Sequence, residues 1–123
     1  MTTSNKMKTG RLGEDLAADW LVRQGYKILA RNYHAAHGEL DIVAQQNDVL
    51  IFVEVKTART RNFGAPETWV DERKQKHIGE AADAYLVEHE IQDLDCRFDV
   101  IAIDLSHSPP SIKHIQDAFW LEE

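Results

Sequence analysis

Three charged side chains interrupt two neighbouring apolar segments of the chain, and their types suit phosphate chemistry at a metal ion. Asp41 follows Gly38-Glu39-Leu40, and Glu54 and Lys56 alternate with aliphatic residues in the segment 51–56. Unpaired charges among buried aliphatic side chains are costly, so their coincidence on two segments suggests a shared ligand. Carboxylate oxygens are the ligands that Mg²⁺ and Mn²⁺ prefer. The pattern predicts a divalent-metal site with Asp41 and Glu54 as primary ligands.

Both segments are predicted strands, so the pleat decides which side chains share a face. Side chains two residues apart point to the same side, which places Glu39 with Asp41 and Glu54 with Lys56. If the strands pair with these faces aligned, the charged groups converge. Lys56 could then position the attacking water and neutralise charge developing on the phosphate. The opposite, buried face would carry Leu40, Ile42, Ile51, Val53 and Val55.

Simpler explanations exist for parts of this pattern. Glu54 and Lys56 alone could be an exposed ion pair, and Asp-x(12)-Glu-x-Lys is a loose pattern that unrelated sequences meet by chance. Asp41 favours the metal site because it also interrupts an apolar strand. Glu14, at the edge of the first helix's apolar stripe, could be a further ligand or a solvated helix glutamate.

Basic residues are concentrated after these segments, although the chain is acidic. The formal net charge of −7 disfavours a general polyanion-binding protein, because nonspecific nucleic-acid affinity comes largely from Lys and Arg. A local basic face is still compatible with this net charge. Lys74 and Gln75 could hold phosphate or cover the apolar face of the second helix with their stems. The predicted contacts to nucleic-acid phosphates are Arg59, Arg61, Lys74, Gln75 and Lys76.

Several other chemistries lack their sequence signatures. The chain has no phosphate loop, no nucleophile elbow and no dinucleotide fingerprint. His34 and His37 do not have the spacing of a helical zinc motif, and the single Cys96 makes a structural zinc improbable. We expect Cys96 to be a small buried residue in a reducing compartment. The histidines expected at the surface are His77, His89, His107 and His114.

Periodicity predicts the elements that position these groups. Apolar residues at helical spacing indicate a first helix over residues 10–24, which Gly25 would end. Three strands are predicted over residues 26–33, 39–44 and 49–55. The stripe Ile78, Ala81, Ala82, Tyr85 and Leu86 indicates a second helix. Strands over 97–105 and 112–115 and a helical turn at 118–120 complete the chain.

These elements predict an α/β fold with a mixed central sheet flanked by helices, in the order α-β-β-β-α-β-β. The helix between the third and fourth strands supplies the crossover that a parallel pair requires. We expect residues 1–9 to be a flexible segment and 10–123 to be a single domain. No segment reads as a secretory signal or a membrane span, so a cytoplasmic protein without a membrane partner is expected.

Several ordered motifs resemble the YraN-like family of small bacterial proteins, over about residues 10–119. They are Gly13-Glu14, Arg31-Asn32, Gly38-Glu39-Leu40-Asp41, Phe52-Val53-Glu54-Val55-Lys56, Arg97-Phe98-Asp99-Val100 and Asp117-Ala118-Phe119. The resemblance implies a restriction-endonuclease-like core of the PD-(D/E)xK type, related to archaeal Holliday-junction resolvases. It implies a catalytic site of Glu14, Asp41, Glu54 and Lys56 with Glu39 beside it, in which Glu14, Asp41 and Glu54 bind the metal.

We therefore expect the protein to be an enzyme, namely a nuclease that depends on Mg²⁺ or Mn²⁺. It would hydrolyse phosphodiesters in structured DNA or RNA, and we expect DNA rather than RNA. The alternative is a nucleic-acid-binding or complex-forming module that keeps the fold without turnover. The acidic charge balance and the terminal aromatic residues Phe119 and Trp120 support that alternative. A homodimer is compatible with both, because junction-type substrates have two-fold symmetry.

Overall fold

A single mixed sheet with a helix on each face forms the framework of the protein. The structure is a computed structural model that describes residues 2–35, 37–59, 63–64 and 68–121. Within these residues the helices are α1 (Thr2–Arg23) and α2 (Glu72–Glu88). The strands are β1 (Lys27–Ala35), β2 (Gly38–Gln46), β3 (Val49–Ala58), β4 (Asp95–Asp104) and β5 (Ser111–Ile115). The predicted α/β class and the element order α-β-β-β-α-β-β are confirmed.

The strands lie in the spatial order β1-β2-β3-β4-β5. All neighbouring pairs are antiparallel except β3 and β4, which are parallel. A parallel pair cannot be joined by a tight turn, and α2 provides the crossover between these two strands. The sequence order of the strands is therefore also their order across the sheet.

Each helix covers one face of the sheet, which explains the nearly continuous apolar runs of β3 and β4. The face under α1 includes Ala17, Leu21, Ile42, Ile51, Val53, Ile101 and Ile103. The face under α2 includes Val43, Phe52, Ile78, Ala81, Ala82, Tyr85 and Val100. None of the helices in the described ranges is long and apolar enough to cross a membrane.

The first helix begins earlier than predicted. It starts at Thr2 rather than near residue 10, because its first turns are polar and carry no apolar stripe that periodicity could detect. Its end agrees with the prediction, since Gly25 has a φ of +93° and its N–H donates to the Val22 carbonyl. The division into a flexible segment 1–9 and a domain 10–123 stays a prediction.

Two expectations near the sheet margins were wrong. Residues 118–120 form no helical turn, because the Ala118 N–H donates to the Phe98 carbonyl at 2.7 Å and the Phe119 ring stacks on Phe98. Trp120 is left 77% exposed. Cys96 is exposed rather than buried, since it lies at the beginning of β4 before that strand enters the core.

The pleat of the sheet reverses beside Asp41, so Leu40 and Ile42 do not share a face as expected. Leu40 packs in the cluster under α2, whereas Ile42 packs in the cluster under α1. Asn32 lies between the partners of these residues on β1 and has a φ of 52°, a left-handed conformation. That conformation interrupts regular alternation in β1 opposite Asp41.

Candidate active site

The candidate site lies where β2 and β3 separate. Pairing of these strands in register ends at Ile42 and Val53, and Asp41 and Glu54 occupy the next position along each strand. The Val55 N–H donates to Asp41 Oδ2 at 2.8 Å. A side-chain oxygen thus satisfies a backbone donor at the end of the ladder, which fixes the Asp41 carboxylate in place.

Glu54 is held against another acid. Its side chain is 11% exposed, and its carboxyl group lies close enough to that of Asp41 to perturb its pKa. Burial, together with the neighbouring carboxyl group of Asp41, raises the pKa of Glu54 to about 9. The Lys74 ammonium, with Nζ 3.3 Å from Glu54 Oε2, acts in the opposite direction but does not cancel the rise. The surroundings of Glu54 therefore favour its protonated form.

Glu14 reaches the sheet because α1 lies very close to β3. A Cβ atom at Gly13 would overlap the Thr57 side chain, so only glycine permits this approach. Glu14 is buried, and its Oε1 accepts hydrogen bonds from Arg31 Nε at 2.9 Å and Asn32 Nδ2 at 3.0 Å. In contrast to Glu54, Glu14 accepts hydrogen bonds from two neighbouring side chains.

An open cleft connects these groups on one side of the separated strands. Its volume is about 700 Å³, and its lining includes Glu14, Asn32, Glu39, Asp41 and Thr57. Glu39 is mostly exposed, and its carboxylate lies 3.3 Å from Nδ1 of His34. Glu54 lines a smaller space together with Asp41 and Ile78 of α2. Three of the predicted acids thus share the cleft, and the fourth contacts it through Asp41.

Two of the three predicted ligands, Asp41 and Glu54, could hold a hard divalent cation. Asp41 and Glu54 present carboxyl oxygens that are forced together, and a cation between them would replace the proton that Glu54 retains. Within the described part of the chain, no group of three or more His, Cys, Asp or Glu side chains is arranged to hold an ion. Glu14, the third predicted ligand, is instead bound by Arg31 and Asn32.

Among the described residues, the lysine in contact with the acid pair of Asp41 and Glu54 is Lys74, from the first turn of α2. Asp71 caps that helix by accepting from the Lys74 N–H at 2.8 Å. A Cβ at Gly38 would overlap the His77 backbone, so glycine lets α2 approach the start of β2. Lys56 shares the Glu54 face of β3, but its Nζ lies 5.9 Å from the ring centroid of Trp69.

The other predicted phosphate contacts have varied surroundings. Gln75 Nε2 donates to the Val70 carbonyl at 2.9 Å, so its side-chain amide binds the backbone just before α2. Arg59 Nε donates to Thr9 Oγ1 at 2.8 Å, which links the end of β3 to α1. Lys76 is exposed to solvent. Arg61 lies outside the described residues.

Comparison with known proteins identifies the family. The model of the uncharacterised protein family UPF0102 matches residues 13–103. The chain belongs to this family. The UPF0102 protein of Geobacter sulfurreducens is 49% identical over 113 residues, which cover 91% of this chain and 88% of the relative. That of Geobacter metallireducens is 43% identical over 121 residues, covering 98% of each chain.

The relatives confirm the YraN-like resemblance and match this UPF0102 chain over almost its full length. The UPF0102 protein of Trichlorobacter lovleyi is 47% identical over 114 residues, 91% of this chain and 90% of its own. The matched family segment contains Glu14, Asp41, Glu54 and Lys56 and ends before β5. These relatives are named only as UPF0102 proteins.

A second buried cluster in this UPF0102 protein was missed by the sequence-based prediction. Asp99 is 0% exposed and accepts from Arg97 Nε at 2.8 Å and from the Asp117 N–H at 2.9 Å. His114, expected at the surface, has a side chain only 8% exposed, and its Nε2 lies 2.7 Å from Asp99 Oδ2. Strand alternation could have found it, because Ile112 and His114 fall on one face of β5.

The donors around Asp99 determine its ionisation. Burial acts to raise the pKa of Asp99, but hydrogen bonds from His114, Arg97 and the Asp117 backbone outweigh it and hold the pKa below its ordinary value. Arg97 Nη2 also donates to the Tyr26 hydroxyl at 2.9 Å. This cluster connects β4 and β5 to the segment that follows α1, which is a structural role.

Proposed function

We propose that the protein is a divalent-metal-dependent nuclease that hydrolyses phosphodiester bonds in structured nucleic acid, with DNA preferred over RNA. The observation that carries this proposal is the adjacent pair of Asp41 and Glu54 beside a cleft that Asp41 and Glu14 line. The motif resemblance to restriction-endonuclease-like PD-(D/E)xK proteins and Holliday-junction resolvases supports it. A cytoplasmic location and a homodimer matched to two-fold symmetric junctions belong to the same proposal.

Asp41 and Glu54 would hold Mg²⁺ or Mn²⁺, with Glu14 as a further candidate ligand. When bound, the cation would lower the pKa of a water molecule and neutralise charge on the phosphate. The Val55 N–H keeps Asp41 oriented, and the Lys74 charge favours the ionised form of Glu54. Hydrolysis forms a bond from water oxygen to phosphorus, breaks one P–O ester bond and delivers a proton to the leaving oxygen.

The remaining charged groups would act on the substrate rather than on the cation. Glu39, exposed at the rim of the cleft, would orient a water molecule. The ammonium of Lys56 would stabilise negative charge on the transferred phosphate, and Trp69 limits where that ammonium can lie. Lys74 and Lys76 of α2 and Arg59 at the end of β3 would contact backbone phosphates.

A cleavage assay tests this proposal. Purified protein and the Asp41→Asn variant are incubated with Mn²⁺ and end-labelled junction, flap and single-stranded DNA, with Asp93→Asn as an exposed-acid control. Asparagine keeps an oxygen for the Val55 N–H, so the fold is retained while a ligand charge is lost. We expect a loss of about 100-fold or more in rate for Asp41→Asn and none for Asp93→Asn. Equal cleavage by all three proteins would indicate a contaminating nuclease and contradict the assignment.

A second candidate function is a nucleic-acid-binding or complex-forming module without turnover. It is favoured by the contacts of Glu14 with Arg31 and Asn32, which already compensate one predicted metal ligand. Such a module would bind nucleic acid with strong salt dependence, equally in wild type and Asp41→Asn, and would cleave no substrate.

A further inference from the structure

A row of side chains crosses three strands on the α2 face of the sheet, next to the acid pair. Lys56 of β3 is in register with Ala102 of β4, and Ala102 is in register with Lys113 of β5. Side chains in register on neighbouring strands point to the same face. Lys56 lies two residues after Glu54, so the row begins about 7 Å along β3 from the candidate site.

The indole of Trp69 lies over this row between the two lysines. Their Nζ atoms are 5.9 Å and 6.0 Å from its ring centroid, from Lys56 and Lys113 respectively. Trp69 Nε1 donates to the carbonyls of Phe63 and Gly64 at 3.0 Å and 3.3 Å, so the orientation of the ring is fixed. The indole is thus partly buried against the core, and two ammonium groups lie close to its ring.

A pocket opens beside this indole. It has a volume of about 240 Å³, and its lining includes Phe63, Trp69, Ala102 and Lys113. The small Ala102 side chain leaves space between the lysines. The ring centroids of Phe63 and Trp69 are 5.7 Å apart, which adds a second aromatic surface. The pocket therefore combines aromatic walls with one basic group, that of Lys113.

The charges around the pocket favour an anionic ligand. Among the residues that the structure describes, neither Lys56 nor Lys113 forms an ion pair. Asp104 also lines the pocket, but its carboxylate accepts from the Ser106 N–H and hydroxyl and lies 3.5 Å from His107 Nε2. Two like charges directed at one indole repel each other, and a bound anion would remove that repulsion.

We infer that Trp69, Lys56 and Lys113 bind a single-stranded segment of nucleic acid. One unpaired base stacks on the indole, and the flanking phosphates contact the two lysines, a combination of stacking and charge that is typical of single-strand binding. The bound strand runs from the acid pair across β4 to the edge strand β5. This inference rests on the proposed function and specifies its substrate, a strand with unpaired nucleotides next to the scissile phosphate.

The test measures binding without cleavage. Fluorescence anisotropy of a labelled oligothymidylate is titrated with protein in EDTA at several KCl concentrations. The variants are Lys113→Gln and Trp69→Leu, and the matched control is Lys27→Gln, an exposed lysine on the opposite edge strand β1. We expect Trp69→Leu to weaken binding about fivefold to a hundredfold. Lys113→Gln should weaken binding and reduce the salt slope by about 0.7, and Lys27→Gln should change neither.

The outcomes separate this inference from the proposed function. Unchanged affinity and salt slope in Lys113→Gln would overturn it, and this surface variant is informative even if Trp69→Leu fails to fold. Competition by polyglutamate as effective as that by unlabelled oligothymidylate would also overturn it, in favour of an acidic protein partner. If wild type binds no single strand, the inference fails, whereas Mn²⁺-dependent cleavage by wild type and not by Asp41→Asn would still support the nuclease.

Discussion

The buried acid Asp99 and the mostly buried acid Glu54 have opposite surroundings. Asp99 is enclosed by donors from Arg97, His114 and the Asp117 backbone, and the pKa of its carboxyl group is lowered. Glu54 is buried against the carboxylate of Asp41, and its pKa is raised to about 9. The first environment stabilises a negative charge, and the second disfavours it.

The difference shows that this fold is able to compensate a buried carboxylate. It does so completely at Asp99, and at Glu14 with two side-chain donors. The incompletely compensated pair of Asp41 and Glu54 is therefore not a general consequence of burying acids in this sheet. Groups with strongly perturbed pKa values beside a cleft are characteristic of functional sites, where unfavourable interactions in the free protein are relieved by a ligand.

The largest expected effect on stability comes from replacing Asp99, whose charge is compensated by hydrogen-bond donors. Asp99→Ala should lower the free energy of unfolding by about 3–5 kcal/mol, because Arg97 and His114 would remain buried without their acceptor. Urea unfolding at pH 7, followed by circular dichroism, measures this change. The matched control Asp93→Ala, at an exposed position, should stay within about 0.5 kcal/mol of wild type. A loss below about 1 kcal/mol for Asp99→Ala would contradict the structural role.

Replacement of Glu54, whose charge is not fully compensated, should change the free energy of unfolding in the opposite direction. Glu54→Gln should raise the free energy of unfolding at pH 7 by about 1–3 kcal/mol, because folding would no longer require protonation of a carboxylate. Glu14→Gln is the control within the same site and should lower it by about 1 kcal/mol, since its bonds from Arg31 and Asn32 lose their ionic character. Destabilisation by both variants would remove the distinction between the two acids.

The pH dependence follows from the two pKa directions. The pKa of Glu54 rises on folding from 4.5 to about 9, so its stabilising contribution is complete below about pH 4.5 and is lost as the pH rises toward 9. The pKa of Asp99 falls from 3.8, so its contribution is present above that value and is lost at lower pH.

The advantage of Glu54→Gln over wild type should therefore shrink by about 1 kcal/mol per pH unit between pH 7 and pH 5. The penalty of Asp99→Ala should change little over the same interval. Urea unfolding at each pH provides both quantities. A constant difference between Glu54→Gln and wild type would show that Glu54 is already ionised in the folded protein.

The smallest effect is expected at the contact of Lys74 with Glu54. Lys74→Gln should change the free energy of unfolding by less than about 1 kcal/mol, because the lysine side chain is 57% exposed. Thermal unfolding in low and high salt measures this term, and Lys76→Gln on the same helix is the control. A loss above about 2 kcal/mol would mean that Lys74 compensates the acid pair far more fully than its exposure indicates.

The sequence was sufficient for the order of elements because the helices show apolar stripes at helical spacing and the strands are short runs rich in β-branched and aromatic residues. The stripe from Ile78 to Leu86 predicted α2, and Gly25 predicted the end of α1. The adjacency of Asp41 and Glu54 follows from two strands joined by a short turn, since a hairpin brings such positions opposite each other. Local sequence patterns were therefore sufficient to predict contacts within one hairpin.

The remaining features depend on contacts between distant segments. The pleat reversal that separates Leu40 from Ile42 depends on the left-handed conformation of Asn32 on another strand. The direction of Lys56 depends on Trp69, which precedes α2 and has no periodic relation to β3. The burial of His114 requires Asp99 of the neighbouring strand as its partner, although strand alternation alone indicates its face.

Calorimetric titration of the metal-free protein with Mn²⁺ tests the central claim most directly, because it examines the acid pair without requiring a substrate. The account predicts binding of Mn²⁺ to wild type, a loss of affinity of tenfold or more in both Asp41→Asn and Glu54→Gln, and wild-type affinity in Asp93→Asn. Identical heats for wild type, Asp41→Asn and Glu54→Gln would contradict it.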